Sequence, residues 1–544
     1  MEIDKDVYVP MRDGVHLAVD LYRPKILTHH AAVLLVTPYC KDARFAMPLG
    51  WDGRPVPLPM PPMPAGFNPM LMSVKPLVDA GFVVVVADAR GTGFSEGEFD
   101  YYNLEGGPFD GYDMVEWIAE QTWCDGTVAI MGGSAAAISC YLTALTQPPH
   151  LKAMAPNMHP GDFYFDQWRI GGVFRLDNRI GWAKAMYANI TPIDPGDRAA
   201  PSYERKRAVY EARTEQSARR LSAGQNIANL DWLTEMYKHA EYDEFWRSRS
   251  VIARADEITI PTLHGGVWFD HFIRGTLTSH GAINVPKRLF VGPGSLITRF
   301  DLGDGGLTAL TVAWFDHFLR GADNGVMDGP AARLYLLGAE QYIDEPVWPV
   351  PTEVWELFLA PGASGSAESI NDGVLAVEVG TPGRVSMRHD PNAPVSTCAD
   401  PGDQRPFERE CLTFTTAPLE TDVEVIGAPR LVLYATTDAS DVDFCVRLCD
   451  VFEDGRSRLL NVGALKGSHV ASHEHPTPLE TGTKYCFDIE IWATANRFAK
   501  GHRIRVDVAA SDYPFFETNP WPSTTEIIFD EQHRSRLVLP VVRR

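Results

Sequence analysis

Three short apolar runs constrain the fold more than any other feature of the sequence. Residues 32–37 (AVLLVT), 82–88 (FVVVVAD) and 127–131 (TVAIM) are almost continuously apolar, as expected of strands that are buried on both faces. Helix-compatible segments at 109–121 and 134–146 alternate with them. This alternation predicts a mostly parallel sheet covered by helices, which is an α/β domain.

The character of the sequence changes twice beyond this region. From residue 161 the chain is helix-compatible, rich in Arg, Ala, Glu and Tyr, and lacks buried-strand runs, until strand patterns resume at 256–268. A Pro-rich junction at 346–351 then precedes many short strand patterns separated by turn residues, which is typical of an all-β sandwich. The predicted domains are an α/β domain at 1–150 and 250–345, a helical cap insertion at 151–249 and a β-rich domain at 346–544.

Composition excludes several classes of function. The formal net charge is −22 and no basic run offsets it, so we expect neither nucleic acid nor an anionic membrane as a partner. We find no apolar run of membrane-spanning length, and we expect no secretory signal at the N-terminus. The eight cysteines lack zinc-site spacing. We therefore expect a cytoplasmic protein with reduced thiols and with neither cofactor nor metal, and the sequence leaves homo-oligomerisation open.

The stretch TVAIMGGSAAA at 127–137 carries the clearest chemical signal. An apolar strand runs into Gly132-Gly133-Ser134, and a helix-forming run of alanines follows. This context predicts a nucleophile elbow, with Ser134 as the nucleophile and the backbone N–H of Ala135 as an oxyanion donor. The alternative is an incidental serine in a Gly-rich turn, since Ala136 stands where the usual pattern has glycine.

Two further residues follow predicted strands at suitable places. Tyr39 lies just after the strand at 32–37, where a second oxyanion donor is expected, although a tyrosine there can equally serve packing. Asp270 follows the strand in IPTLHGGVWFD and comes after Ser134 in chain order, as a triad acid should, although a lone Asp there can also cap a helix.

Six motifs in the same order resemble the CocE/NonD family of α/β-hydrolases, the family of cocaine esterase and X-prolyl dipeptidyl aminopeptidases. The resemblance runs essentially from end to end. The motifs are VPMRDGVHLAVDLYRP (9–24), TPYCK (37–41), DARGTGFSEGEF (88–99), GGVWFDHF (265–272), WFDHFLRG (314–321) and RFAKGHRIRVDVAASDYPFFETNP (497–520).

The resemblance implies an α/β-hydrolase catalytic domain, an inserted helical cap and a C-terminal jelly-roll-like domain, with the active site where the three meet. It also implies that Ser134 is the nucleophile, Asp270 the triad acid, and Tyr39 with the Ala135 N–H the oxyanion hole. The sequence departs from the family at the base. Leu296, in Gly292-Pro293-Gly294-Ser295-Leu296, stands where the family has histidine, and leucine cannot exchange a proton.

Another histidine could replace the missing base. His159 follows a strand-like run, and strand carboxyl ends face the active site in open α/β sheets. His271 adjoins Asp270, but we expect its side chain to face elsewhere. A substrate that supplies its own base is a further alternative.

Aromatic residues suggest the kind of substrate. The Pro- and Met-rich loop at 41–72 follows Tyr39, and Phe163, Tyr164, Phe165 and Trp168 open the cap insertion. Together they predict a pocket for an aromatic or bulky apolar group, with Phe163 and Trp168 as substrate-binding residues. The alternative is that these aromatic side chains only hold the cap against the rest of the molecule.

Three functions therefore stay open. The first is a serine hydrolase that cleaves a small-molecule ester or amide through an acyl-enzyme on Ser134, with a non-standard base. The second is a non-hydrolytic enzyme of the same fold, such as a lyase, cyclase or acyltransferase. The third is a catalytically silent protein that binds a carbonyl ligand. Fold alone does not choose among them.

Overall fold

A computed structural model describes residues 1–25, 29–42, 70–100, 109–190, 193–223, 231–294 and 306–544. Within these ranges the chain forms a ten-stranded sheet with flanking helices, a mostly helical insertion and a second, larger sheet. No described helix has both the length and the apolar character needed to cross a bilayer.

The first part of the α/β domain builds six strands and three helices. The elements in chain order are β1 (Glu2–Pro10), β2 (His16–Arg23), β3 (His30–Thr37), α1 (Met70–Asp79), β4 (Val83–Asp88), α2 (Phe109–Ala119), β5 (Cys124–Gly133), α3 (Ala135–Leu145) and β6 (Leu151–Asn157). Side chains of β3 alternate between two cores, because Val33 and Leu35 pack on one face of the sheet and Ala32 and Leu34 on the other. The prediction that this apolar run is buried on both faces is confirmed.

The helical insertion begins later than expected. Strand β6 pairs in parallel with β5 inside the ten-stranded sheet, so the predicted boundary at residue 151 is wrong and the insertion follows Asn157. The insertion also contains a two-stranded hairpin that the sequence pattern did not show. Its elements are a short π-helical turn (Tyr164–Trp168), β7 (Arg169–Ile170), β8 (Val173–Phe174), α4 (Leu176–Ile190), α5 (Tyr203–Ser222), α6 (Asp231–Lys238) and α7 (Glu244–Arg247).

The chain then returns to the α/β domain. After a 3-10 helix (Ile252–Glu257), it forms β9 (Thr262–Val267), α8 (Ile273–Ala282), β10 (Lys287–Gly292), α9 (Leu307–Arg320), β11 (Ala332–Leu336) and β12 (Gln341–Glu345). The completed strand order is β1-β2-β4-β3-β5-β6-β9-β10-β11-β12. Pairing is parallel from β4 to β11 and antiparallel at the two edges. Strand carboxyl ends therefore meet along one edge of the sheet, where Tyr39, Ser134 and Asp270 follow β3, β5 and β9.

The rest of the chain is mostly strands, as predicted. The elements are β13 (Glu353–Ala360), β14 (Asn371–Ala376), β15 (Gly383–His389), α10 (Arg405–Glu408), β16 (Leu412–Thr415), β17 (Val423–Gly427), β18 (Arg430–Thr437), β19 (Asp443–Val451), β20 (Ser457–Lys466), β21 (Tyr485–Glu490), β22 (Thr494–Phe498), β23 (Arg503–Ala509), β24 (Ser523–Phe529) and β25 (Arg536–Val542). These strands form one thirteen-stranded sheet, antiparallel except between β14 and β16. The jelly-roll topology implied by the resemblance stays a prediction.

Candidate active site

Ser134 occupies a strained turn between β5 and α3. Its backbone has φ 58° and ψ −125°, a conformation that non-glycine residues adopt only when the surroundings enforce it. The N–H of Ser134 donates to the carbonyl oxygen of Asn157 at 2.9 Å, which ties the turn to the end of β6. A Cβ at Gly132 would lie 2.5 Å from the carbonyl group of Ala136, so the close packing of strand on helix requires glycine there. The geometry is that expected of a nucleophile elbow.

Tyr39 reaches the serine from the end of β3. Its hydroxyl lies 3.3 Å from the Oγ of Ser134. The Nε1–H of Trp182, on α4, donates to the same tyrosine oxygen at 3.1 Å. The tyrosine oxygen therefore already accepts one hydrogen bond, and between Tyr39 and Ser134 either hydroxyl can donate. The Tyr39 proton is free to turn toward a carbonyl group bound beside the serine.

Ala135 begins α3 directly after the serine. The first four N–H groups of a helix have no acceptor within the helix, and the positive end of the helix dipole lies there. A carbonyl oxygen that becomes negative beside Ser134 would therefore meet both the helix N-terminus and the Tyr39 hydroxyl.

Asp270 is buried just beyond β9. Its Oδ2 accepts the N–H of Phe272 at 3.3 Å, and its Oδ1 has no hydrogen-bond partner among the described residues. Burial raises the pKa of Asp270 to about 7, opposed by the Phe272 N–H and by the charge of Arg175. A buried carboxylate oxygen without a donor is costly, so this oxygen has the environment of a group that awaits a partner.

All sixteen histidines of the chain lie within the described ranges, so each can be placed. His271 is the one next to the acid, with its Nδ1 3.4 Å from the Oδ1 of Asp270, and the expectation that it faces elsewhere is wrong. Burial and the charges of Arg175 and Arg179 lower the pKa of His271 well below its usual value, so its ring is neutral at pH 7. In the part of the chain that the structure describes, no histidine is hydrogen-bonded to Ser134.

His159 lies elsewhere. Its Nε2 lies 2.8 Å from the hydroxyl of Tyr141, and its Nδ1 lies 3.3 Å from the carbonyl oxygen of Pro160. The Tyr141 hydroxyl also approaches the Nδ1 of His264 at 3.2 Å. Complete burial lowers the pKa of His159 to about 3. Both ring nitrogens thus face core groups, and Tyr141 lies about two helical turns beyond Ser134 on α3. The suggestion of His159 as the base is not supported.

Two sequence features fall outside the described residues. Leu296 lies in the segment 295–305, and most of the Pro- and Met-rich loop lies in 43–69. The sequence itself still limits the choice of base, because no histidine occurs between His280 and His317.

Phe163 and Trp168 are both buried in an aromatic cluster of the cap. Tyr39 and Trp182 pack against the same cluster, so its edge reaches the tyrosine that contacts Ser134. Trp168 also packs on Trp246, with ring centroids 6.3 Å apart. This arrangement suits both a pocket wall and an anchor for the cap, and a substrate-binding role for Phe163 and Trp168 stays a prediction.

Sequence reasoning missed three residues of α4 and the segment before it. Arg175, Arg179 and Trp182 follow one another at intervals of four and three residues, the spacing that places side chains on one face of a helix. Arg175 and Arg179 are 3% and 2% exposed. This spacing is the feature of the sequence from which the cluster of two arginines and a tryptophan could have been predicted.

Comparison with known proteins agrees with the geometry. The family model described as X-Pro dipeptidyl-peptidase (S15 family) matches residues 13–295. The model described as X-Pro dipeptidyl-peptidase C-terminal non-catalytic domain matches residues 324–538. Among curated proteins, the chain is 29% identical to the cocaine esterase of Rhodococcus sp. (strain MB1 Bresler), with 100% of this chain and 99% of that protein aligned.

Solved structures share the fold. An aminopeptidase from the marine sediment archaeon Thaumarchaeota archaeon superposes with a TM-score of 0.79 at 20% identity, covering 100% of this chain and 96% of the other. A CocE/NonD family hydrolase from Staphylococcus aureus superposes with a TM-score of 0.75 at 20% identity, covering 99% and 94%. The α/β-hydrolase fold and the CocE/NonD resemblance predicted from the motifs are thereby confirmed.

Proposed function

The chain belongs to the S15 family of X-Pro dipeptidyl-peptidases, and from this membership we propose that it is a serine hydrolase cleaving an ester or amide bond of a small molecule. The observation that carries the proposal is the contact between Ser134 and Tyr39. The serine lies on a strained turn at a helix N-terminus, 3.3 Å from a tyrosine hydroxyl that accepts the Nε1–H of Trp182.

The chemistry follows from these positions. The Oγ of Ser134 attacks the carbonyl carbon, and the carbonyl oxygen takes up the displaced electron pair between the Tyr39 hydroxyl and the Ala135 N–H. Collapse of this intermediate breaks the bond to the leaving group, which takes up a proton. Water then attacks the acyl-Ser134 ester and regenerates the serine.

We assign the base to His271, in place of the histidine that the family has at Leu296. Its Nδ1 faces the Oδ1 of Asp270, and the ring is neutral at pH 7 and ready to accept the serine proton. Asp270 would then stabilise the imidazolium, as the acid of a triad does. The low pKa of His271 makes it a weak base, which predicts slow hydrolysis of generic aryl acetates.

A second function has one observation in its favour. No hydrogen bond joins Ser134 to a histidine in the described part of the chain, as in a non-hydrolytic enzyme or a carbonyl-binding protein with an intact oxyanion hole. A fluorophosphonate probe separates the two, because an activated serine reacts quickly and an unassisted hydroxyl does not.

We expect Ser134 to be labelled within minutes, as located by peptide mass spectrometry, and Ser134→Ala to remain unlabelled. Ser139, a second serine on α3 away from the elbow, serves as control, and Ser139→Ala should be labelled like the wild type. If wild-type protein and Ser134→Ala are equally unreactive, the hydrolase proposal is overturned in favour of the second function.

A further inference from the structure

Arg175 and Arg179 lie buried beside the proposed active site. We propose that these two arginines form a binding site for a carboxylate group, so that the substrate is an ester or amide that also carries a free carboxylate. The proposal deepens the hydrolase function and rests on it for the identity of the reacting bond. Neither the family match nor the relatives' names assign such a site.

Arg175 is buried without an acidic partner among the described residues. In the described part of the chain it makes no ion pair, and its Nε is buried without a hydrogen-bond acceptor. The flat face of the guanidinium packs on Phe515 at 4.5 Å and Trp492 at 5.8 Å, which leaves its N–H edge to meet a ligand. Burial lowers the pKa of Arg175 to about 10, so the group stays charged at neutral pH.

Other buried arginines have partners within the described residues. The guanidinium groups of Arg169, Arg213 and Arg288 donate to backbone carbonyl oxygens. Arg447 meets Asp512 at 2.6 Å. Arg505 meets Glu408 at 2.6 Å. A buried cation without a counterion is costly in free energy, and the chain avoids that cost at both of these positions. Arg175 has neither an acid nor a backbone carbonyl oxygen as partner among the described residues, which is the environment expected of a group that binds an external anion.

The acids nearest Arg175 do not take that place. Asp177, Asp270 and Asp512 all attract its charge, yet none lies within the 4 Å of an ion pair. Asp512 is already bonded to Arg447, and the N–H of Asn178 caps one oxygen of Asp177. Arg179 adds a second positive charge close enough to affect Arg175.

Both arginines are tied to the catalytic residues. Arg179 lies one turn before Trp182 on α4, and Trp182 donates to the Tyr39 hydroxyl that contacts Ser134. On the opposite side, the charges of Arg175 and Arg179 act on His271. The guanidinium of Arg179 also lies 5.4 Å from the ring centroid of Trp168. The two arginines therefore lie beside residues that contact Ser134 and Asp270.

Carboxylate is the chemistry that suits this site. The planar guanidinium fork presents paired N–H donors that match two carboxylate oxygens. A bound anion would also offset the two positive charges that disfavour a proton on His271, so that the correct substrate would strengthen its own base. A neutral ester would lack this assistance.

A pair of esters tests the proposal. The mono-4-nitrophenyl ester of glutaric acid carries a free carboxylate, and 4-nitrophenyl methyl glutarate is its neutral counterpart. We expect wild-type kcat/KM to favour the charged ester by about 10- to 100-fold, the effect of charge-assisted hydrogen bonds. Arg175→Met and Arg179→Met should bring the ratio close to one, whereas Arg207→Met, at an exposed position of α5, should leave it unchanged.

A binding measurement separates this proposal from the hydrolase function. Glutarate itself should raise the Tm of the wild type and of Ser134→Ala, and should not raise the Tm of Arg175→Met or Arg179→Met. This pattern without any ester hydrolysis would overturn the proposed function and leave the carboxylate site standing. Equal kcat/KM for the two esters, with no glutarate effect on the wild-type Tm, would overturn the carboxylate site.

Discussion

At the scale of single residues, the role of the Tyr39 hydroxyl can be tested most directly. Tyrosine differs from phenylalanine only by this hydroxyl, which contacts Ser134 and Trp182. Loss of one oxyanion donor typically lowers turnover by about 10²–10³-fold. We expect Tyr39→Phe to lower kcat by this factor with little change in KM, measured with an activated aryl ester. An unchanged kcat would remove Tyr39 from the mechanism.

The base is tested by two substitutions in combination. His271→Ala should lower hydrolysis of the same ester by about 10²–10⁴-fold, the usual contribution of a general base. Leu296→His introduces an imidazole where the resemblance to the family implies one, so it should raise the rate both alone and in the His271→Ala background. Full activity of His271→Ala would show that the base lies elsewhere, and His159→Ala is the matched control that should stay active.

The ionisation of Asp270 sets a pH dependence. Burial raises its pKa to about 7, so below that pH the carboxyl is neutral and cannot stabilise an imidazolium. His271 is already neutral there, and kcat/KM should therefore rise with pH through about 7. Asp270→Asn should abolish this ascending limb. A pH–rate profile that is flat from pH 5 to 8 in the wild type would contradict the assignment.

The same carboxyl links pH to stability. Its folded-state pKa lies above the unfolded value of 3.8, so the stabilising protonated form is present at low pH and is lost as pH rises through about 7. Asp270→Asn should accordingly have a higher Tm than the wild type at pH 8, with a difference that shrinks toward pH 4. Thermal unfolding across this range checks the sign.

At the scale of elements, the turn between β5 and α3 depends on Gly132. An added Cβ would press on the backbone of Ala136, which cannot move without disturbing the serine. We expect Gly132→Ala to destabilise the protein by about 1–3 kcal/mol, as overpacking does, and to lower kcat with it. Gly281→Ala is the control, because a Cβ there meets nothing within 4 Å. Equal stability of the two variants in urea would contradict the packing argument.

Elements set by local patterns were predictable from the sequence. The expected helix at 134–146 is observed at Ala135–Leu145, and the expected helix at 109–121 is observed at Phe109–Ala119. Strand β6 was assigned to the insertion because its sheet membership depends on pairing with β5 and β9 rather than on its own residues.

The residues of the site also differ in whether a local sequence pattern or a long-range contact determines their position. Ser134 stands in a local strand–turn–helix pattern, so its place could be predicted. The charges that lower the pKa of His271 come from Arg175 and Arg179, and Arg175 itself packs on Phe515, so these features arise from contacts between distant segments. Residue spacing shows which side chains share a helix face but not what they contact, so a motif search finds Ser134 but not the surroundings of His271 and Arg175.

At the scale of the whole molecule, the α/β domain and the β-rich domain share one hydrophobic core. Trp268 and Leu334 from the first domain pack in a single cluster with Leu431 and Ile504 from the second. The backbone also crosses the boundary, since the N–H of Leu337 donates to the carbonyl oxygen of Ala495 at 2.9 Å. Domains joined by a large apolar interface are not expected to move or unfold independently.

The cap is fastened to the β-rich domain as well. The N–H of Lys466 donates to the carbonyl oxygen of Gly171 at 2.8 Å, in the turn between β7 and β8. A Cβ at Gly171 would lie 1.9 Å from the carbonyl oxygen of Ala464, and its φ of 54° disfavours other residues. The three parts of the chain thus meet through contacts that tolerate little change.

Calorimetry should therefore show one cooperative transition for the full chain. Because the core is continuous, loss of the β-rich domain exposes Trp268 and Leu334 and removes stability from the α/β domain at once. Gly171→Ala should lower the Tm of the whole transition without splitting it, whereas Gly281→Ala should not lower it. Two resolved peaks in the wild type, or a fragment 1–345 that unfolds cooperatively by itself, would show that the domains are independent and that the shared core does not couple them.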